Sequence, residues 1–180
     1  MTNHIYIAAS LDGYIARENG ELDWLMSIPN PEGLDYGFAD FLGKMDALVM
    51  GRKTFEVVDS FGQWPYTIPV FIYSTTMKEV PAGYEGKAQA ISGTPQEVME
   101  KLKTKGYARL YIDGGKTIHS FLEEDLIDEF IITTVAVILG SGIPLFPHME
   151  REMGRELELE LLSSETLGLQ LLKHTYRRKR

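Results

Sequence analysis

The sequence predicts an α/β domain, a largely parallel sheet with helices packed against it. Short β-rich apolar runs alternate with amphipathic stretches along most of the chain. The 180 residues contain no repeat, low-complexity tract or linker-like shift in composition, so one domain spanning 1–180 is expected. Near its end the chain carries two further strand-like runs, which read as an antiparallel hairpin closing the edge of the sheet.

The elements follow in order. Ile5 to Ala9 is the first strand. From Asp35 to Met45 a helix is expected, because Phe38, Phe41, Leu42 and Met45 recur at helical spacing on one side. Ala47 to Met50 is a strand that leads into a helix through Phe55 and Val58, and Val70 to Tyr73 is the next strand. The helix Pro95 to Lys105 has Thr94 as N-cap, Pro95 in the first turn, Glu97 completing a capping box and Gly106 as its stop. Leu110 to Ile112 is a strand, and Lys116 to Leu122 a helix that buries Ile118, Phe121 and Leu122. Phe130 to Leu139 reads as a buried strand, with the glycines and prolines up to Pro147 as a loop. Glu156 to Leu161 alternates acid and leucine, a strand with one wet and one dry face. Ser163 to Gly168 then turns the chain into a last strand, Leu169 to Tyr176.

Composition excludes several functions. The chain has no cysteine, so disulfides, thiol nucleophiles and thiolate metal sites are absent. A net charge of −8 argues against a nucleic-acid surface. The five basic residues Lys173, Arg177, Arg178, Lys179 and Arg180 read as a solvated chain end. His4, His119, His148 and His174 have no metal-ligand spacing, and no metal is expected. The N-terminus lacks the charged and long apolar regions of an export signal, and Phe130 to Met149 is interrupted by glycine and proline, so a cytoplasmic protein away from membranes is expected.

The candidate chemistry lies where strands end. Gly51, Arg52, Lys53 and Thr54 join a strand to a helix start, which places free N–H groups, a hydroxyl and two cations together. Asp113, Gly114, Gly115, Lys116 and Thr117 repeat that arrangement, with glycines that let a phosphate approach the backbone. Either loop alone is also an ordinary strand-to-helix turn, but two at the ends of two strands point to a ligand with separated phosphates. Ser74 and Thr75, after a third strand, could share a phosphate with Arg52 or form a polar turn. Asp35 borders the apolar stripe of its helix, where desolvation would raise its pKa and the helix dipole lower it. It is a candidate proton donor, substrate anchor or helix cap.

Four blocks carry a family resemblance: Ile5 to Ala16, with Ala8-Ala9-Ser10-Leu11-Asp12-Gly13 at its centre; Asp46 to Phe55; Tyr111 to Thr117; and Val137 to Phe146. Together they resemble the dihydrofolate-reductase-like superfamily, in the branch of the C-terminal reductase domain of the bifunctional riboflavin-biosynthesis deaminase-reductase. The resemblance implies a three-layer fold whose eight-stranded, mostly parallel sheet ends in an antiparallel hairpin, and it implies NADPH as cofactor. Position by position, Gly51, Arg52, Lys53 and Thr54 match the cofactor-phosphate turn, and Ser74 and Thr75 the adenosine-phosphate hydroxyls. Gly114, Gly115, Lys116, Thr117 and Ile118 match the pyrophosphate-binding glycine pair and helix start. Ala9 and Ile15 match positions flanking the nicotinamide, Asp35 the acidic substrate-binding residue, and Thr134 its hydroxyl partner. Tyr14 stands where riboflavin reductases commonly carry lysine.

The expected activity is NADPH-dependent hydride transfer to a pterin-like or aminopyrimidine substrate. The specific expectation is reduction of 5-amino-6-(5-phosphoribosylamino)uracil, with dihydrofolate or pterin reduction and non-catalytic NADP(H) binding as alternatives. Asp35, or a water it orients, is the expected proton source. The loop Asp12 to Leu25 is expected to close over the nicotinamide, and Tyr14, Trp24, Tyr36 and Trp64 are candidate ring walls. A homodimer is expected from the resemblance and the edge hairpin.

Overall fold

The computed structural model describes residues 1–147, 156–168 and 170–180. Its first half runs β1 (Thr2–Ser10), β2 (Tyr14–Ala16), α1 (Asp23–Met26), α2 (Phe38–Leu42), β3 (Ala47–Gly51), α3 (Arg52–Ser60), β4 (Val70–Tyr73) and β5 (Ala88–Ile91). There follow α4 (Pro95–Thr104), β6 (Arg109–Asp113), α5 (Gly115–Glu123), β7 (Glu129–Val135), β8 (Ile143–Pro144), β9 (Leu159–Leu167) and β10 (Leu171–Arg178). Eight strands form one sheet in the order β5-β4-β3-β6-β1-β7-β10-β9. The first six of that order are parallel, and β10 runs antiparallel to both β7 and β9. The expected fold class is therefore the observed one.

Strand alternation divides the side chains between two faces. Ile5, Ala9, Ile112 and Phe130 pack with Val98 and Leu102 of α4 and Ile118, Phe121 and Leu122 of α5. On the other face Leu48, Met50, Ile72 and Tyr111 pack with Phe41 and Leu42 of α2 and Phe55 of α3. Each face of the sheet is thus covered by helices where the parallel strands lie, which is why those strands read as continuous apolar runs. The capping box of α4 forms as expected: Thr94 Oγ1 accepts from the Glu97 N–H, and the Glu97 carboxylate accepts from the Thr94 N–H.

The sheet is open at one place. β1 pairs with β6 only from Thr2↔Arg109 to His4↔Tyr111, but with β7 from His4↔Glu129 to Ser10↔Val135. The Tyr111 hydroxyl donates to the Tyr6 carbonyl at 3.0 Å, so a side chain occupies a backbone acceptor where the two strands part. This gap lies toward the carboxyl ends of the central strands, where ligands bind in open α/β sheets.

Several expectations are corrected. The helix foreseen from Asp35 to Met45 covers only Phe38–Leu42, because Tyr36 and Gly37 take positive φ of 54° and 89° and break helical continuity. Its stripe survives, since the turns after α2 still bury Met45. The strand foreseen to Leu139 stops at Val135: Leu139 and Gly140 donate instead to the Asp12 carboxylate at 3.1 and 2.7 Å. β9 is no half-buried strand. It runs on through Ser163 to Leu167 and leaves Leu161 and Leu162 exposed. A bulge in the pairing, where Thr175 faces Ser163 but Tyr176 faces Leu161, breaks its alternation. Leu169, foreseen as the start of the last strand, and His148 and Met149 lie outside the described residues. The short β5, and the β2–β8 ribbon, were not foreseen.

The basic chain end is docked by ion pairs, although Arg177, Lys179 and Arg180 stay exposed. Arg178 pairs with Asp125 at 2.8 Å, Arg180 with Asp128, and Arg177 with Glu160 at 2.8 Å. Arg180 also donates to the Asp125 carbonyl at 2.7 Å, which ties the terminus to the α5–β7 connection. Among the described residues no helix is long and apolar enough to cross a membrane.

Candidate active site at the carboxyl ends of the strands

The two glycine-led loops are neighbours that interlock. A Cβ on Gly114 would overlap the Thr54 hydroxyl and lie 3.2 Å from Thr54 Cβ, and one on Gly51 would lie 2.9 Å from Thr117 Oγ1. A Cβ on Gly115 would come within 3.0 Å of Ile15 Cδ1. Tertiary packing therefore gathers Ile15, Gly51, Thr54, Gly114, Gly115 and Thr117 into one cluster. It also gives a further reason for glycine: the space a Gly114 side chain would need is filled by Thr54.

The helix starts themselves suit an anion. Unlike α4, neither α3 nor α5 has a side-chain cap; their N-caps are Gly51 and Gly114, and no acid stands in either first turn. Among the described residues no N-cap side chain bonds their first-turn N–H groups, although Asp113 accepts from the Gly114 N–H, and the exposed Arg52, Lys53 and Lys116 add positive charge. Arg52 makes one loose exposed ion pair, 3.6 Å to Glu56, of the kind worth about 0–1 kcal/mol and easily exchanged for a ligand. These groups fit a dinucleotide's phosphates.

A cleft of about 380 Å³ is lined by Tyr6, Ala8, Thr133 and Leu171 from the sheet, by residues between Leu25 and Asn30, and by Asp35 and Tyr36. Asp35 is exposed and precedes α2. Its Oδ1 accepts from Gly37 N at 3.0 Å and its Oδ2 from Ala39 N at 2.9 Å. These backbone donors hold its carboxyl below the usual range, aided by the charge of Lys173. The opposing influences expected for Asp35 are thereby resolved: desolvation loses, and the group is a carboxylate near neutral pH, an acceptor and not a proton donor.

Of the two adjacent threonines, Thr133 and not the expected Thr134 lines the cleft. Ala8 pairs with Thr133 and Ala9 with Thr134, so alternation puts Thr133 on the cleft face with Tyr6 and Asp35 while Thr134 points to the other. Thr133 is buried. A one-residue shift is the error that a match by sequence position makes most easily in a strand.

Asp113, foreseen only as part of its loop, has a distinct environment. It ends β6 on the face of Tyr111, beside the gap between β1 and β6. Its Oδ1 accepts from Gly114 N at 2.8 Å, and burial pushes its carboxyl up to about 6. Tyr6 is also pushed up, to about 12, by burial and then by the charges of Asp35 and Glu165. The signal for Asp113 in the sequence was a lone acid closing an apolar strand, which does not distinguish a buried carboxyl from a loop one.

The remaining expected residues separate. Ser74 Oγ accepts from Thr76 N and Met77 N at 3.2 and 3.1 Å, so it forms the polar turn, and Thr75 beside it is exposed. Ile118 has its side chain in the core, and its N–H donates to Gly114 O at 2.9 Å. Ala9 and Ile15 are buried, leaving only their backbones for a ligand. Of the candidate ring walls Tyr36 lines the cleft, whereas Trp64 packs against Phe55, Tyr66 and Tyr84, and Trp24 is in a core cluster with an indole N–H that has no partner. His119 bonds the Pro144 and Leu145 carbonyls, and no metal-holding cluster occurs among the described residues.

The sheet order, the C-terminal hairpin and the paired helix starts define the class, a reductase-type domain with a dihydrofolate-reductase-like fold. Residues 4–173 match the model of the RibD C-terminal domain, and the chain belongs to that family. It is 36% identical over 179 residues to the uncharacterized protein YwjB of Bacillus subtilis (strain 168), covering 96% of each chain. It is also similar to a crystal structure of a provisionally assigned riboflavin biosynthesis protein from Shewanella sp. PV-4, at 48% identity, TM-score 0.93 and full coverage of both chains. A deaminase/5-amino-6-(5-phosphoribosylamino)uracil reductase from Thermotoga maritima shares the fold at 16% identity and TM-score 0.76; this chain is covered over 99% of its length but that one over only 56%.

Proposed function

We propose that this protein is an NADPH-dependent reductase acting on a planar aminopyrimidine or pterin-like substrate, with 5-amino-6-(5-phosphoribosylamino)uracil the first candidate. The observation that carries this reading is the pair of interlocked, glycine-led helix starts, in a domain that also holds a cleft with a carboxylate on its rim. NADPH would be held by Gly51 to Thr54, by Ser74 and Thr75, and by Gly114 to Thr117, with the backbones of Ala9 and Ile15 beside the nicotinamide. When bound it supplies a hydride for an electrophilic C=N or C=O carbon of the substrate. Asp35 anchors the substrate by accepting its ring or amino N–H groups, with the Thr133 hydroxyl beside it. We assign the proton that the substrate nitrogen or oxygen then needs to Asp113, which ends β6 beside the gap between β1 and β6 and whose carboxyl, pushed up to about 6, keeps a minor protonated fraction near neutral pH. The loop from Asp12 to Leu25 covers the nicotinamide.

NADPH oxidation, followed by absorbance, tests this with the phosphoribosylamino uracil, its dephosphorylated form, a dihydropterin and dihydrofolate supplied separately. Tight NADPH binding without turnover on all four would sink the enzyme and leave a binding module. For the cofactor, Arg52→Ala is expected to weaken NADPH at least tenfold, about 1.4 kcal/mol, and NADH much less, because a charge-assisted bond to the 2′-phosphate is lost. Equal losses, measured by fluorescence titration, would remove Arg52 from the 2′-phosphate site.

A homodimer belongs to the same reading. Leu161 and Leu162 of the edge strand β9 and Leu172 of β10 beside it are exposed. Light scattering at micromolar concentration should give twice the chain mass of 20.3 kDa, and Leu161→Lys should halve it; a monomeric wild type rejects the proposal.

A further inference from the structure

The Asp35 turn is held from the far end of the chain. Tyr36 is one of two non-glycine residues among those described with positive φ, at 54°, and Gly37 follows at 89°. Two left-handed residues in succession are an unfavourable backbone choice unless something fixes them. Two donors converge on the Tyr36 carbonyl: the Tyr6 hydroxyl of β1 at 2.8 Å and the Lys173 ammonium of β10 at 3.0 Å. Lys173 lies beside Thr133 in the sheet register, pairs with Glu165 of β9 at 3.0 Å, and is largely buried. The ammonium packs against Gly37, where a Cβ would lie 3.4 Å from its Nζ.

The geometry points to Lys173 as a positioning residue: by fixing the Tyr36 carbonyl it sets the left-handed turn that aims the Gly37 and Ala39 N–H groups at the Asp35 carboxylate. Asp35 in turn presents its remaining lone pairs to the cleft. The charged and titratable groups around Asp35 are Lys173 on β10, Glu165 on β9 and Tyr6 on β1, beside Tyr36 in its own turn. Lys173 acts on Asp35 twice, through the turn and through its charge, while Glu165 neutralises part of that charge. This makes β10 a member of the substrate site although only Leu171 of that strand lines the cleft.

The inference rests on Asp35 as substrate anchor, but its test does not need turnover. The Asp35 pKa is measured in the ligand-free protein by carboxyl-carbon NMR, assigned with Asp35→Asn. Lys173→Met is expected to raise it by about half to one unit, because the carboxylate loses a nearby cation and well-aimed donors. Lys173→Arg should restore most of the wild-type value. Tyr6→Phe removes the other donor from the same carbonyl and should move Asp35 in the same direction, which keeps the test open if Lys173→Met does not fold. An Asp35 pKa unchanged in both Lys173→Met and Tyr6→Phe, or an equal rise in Lys173→Arg and Lys173→Met, overturns the proposal. If the enzyme turns over, Lys173→Met should raise KM at least threefold, shift the acid limb of the pH profile upward and leave NADPH affinity unchanged. A shifted Asp35 pKa with no effect on substrate binding would instead count against Asp35 as the anchor and leave the positioning role intact.

Discussion

Gly114→Ala is expected to lower stability by about 2–5 kcal/mol and to abolish dinucleotide binding. Two costs add. A φ of +90° disfavours any residue with a Cβ by about 1–2 kcal/mol, and forcing a methyl into occupied space costs about 1–3 kcal/mol more. The occupied space is the hydroxyl of Thr54, in the first turn of α3, so the clash pushes apart the two helix starts that would share the cofactor phosphates. Gly106→Ala provides the comparison. Gly106 has a φ of +91° but nothing within 4 Å of its Cβ position, so only the conformational cost should appear. Thr54→Ala in the Gly114→Ala background should recover part of the loss by removing the overlapping hydroxyl. Urea unfolding of the three variants decides the matter: if Gly114→Ala is no worse than Gly106→Ala, the two loops do not interlock.

Asp113→Asn should separate stability from activity. The wild-type carboxyl has a folded pKa of about 6 against an ordinary 3.8, so the folded state binds its proton more tightly than the unfolded state does. Between those values the native state carries more protons, and stability falls as pH rises from about 4 to about 6, the reverse of the usual carboxylate pattern. Above pH 6 the full penalty persists. Two pKa units correspond to about 2–3 kcal/mol, an upper range because Asp113 keeps part of its surface open at the end of the sheet. The amide can keep the acceptor for Gly114 N while removing the buried charge. Asp113→Asn is therefore expected to be more stable than wild type at pH 7.5, to flatten that pH slope, and to lower turnover at least tenfold. Loss of stability at pH 7.5 would mean that the ionised form is welcome in its site.

How much of this was readable in the sequence depends on the range of the interactions involved. The α4 capping box was readable because all its partners lie within four residues, and it formed as foreseen. The buried parallel strands were readable as apolar runs because helices cover both their faces. β9 was misread, since an edge strand with a bulge does not keep one dry face. The Asp35–Met45 helix was misread too: its apolar spacing is real, but donors from Tyr6 and Lys173, distant in sequence, favour a left-handed turn where periodicity expected helix. The resemblance points to Thr134 by sequence position alone, which carries no strand parity; the pairing of Ala8 with Thr133 supplies it.

By itself the sequence determined the class of fold, the two glycine-led helix starts and the absence of thiol chemistry, because each depends on residue type and near-neighbour spacing. Tertiary structure alone decided that Gly114 is needed for Thr54, that backbone donors pull the Asp35 carboxyl down while burial pushes the Asp113 carboxyl up, and that the basic chain end is docked on Asp125 and Asp128. The physical reason is common to all three. A side chain's available space, its desolvation and the charge it meets are set by groups brought near by folding, which sequence separation does not record.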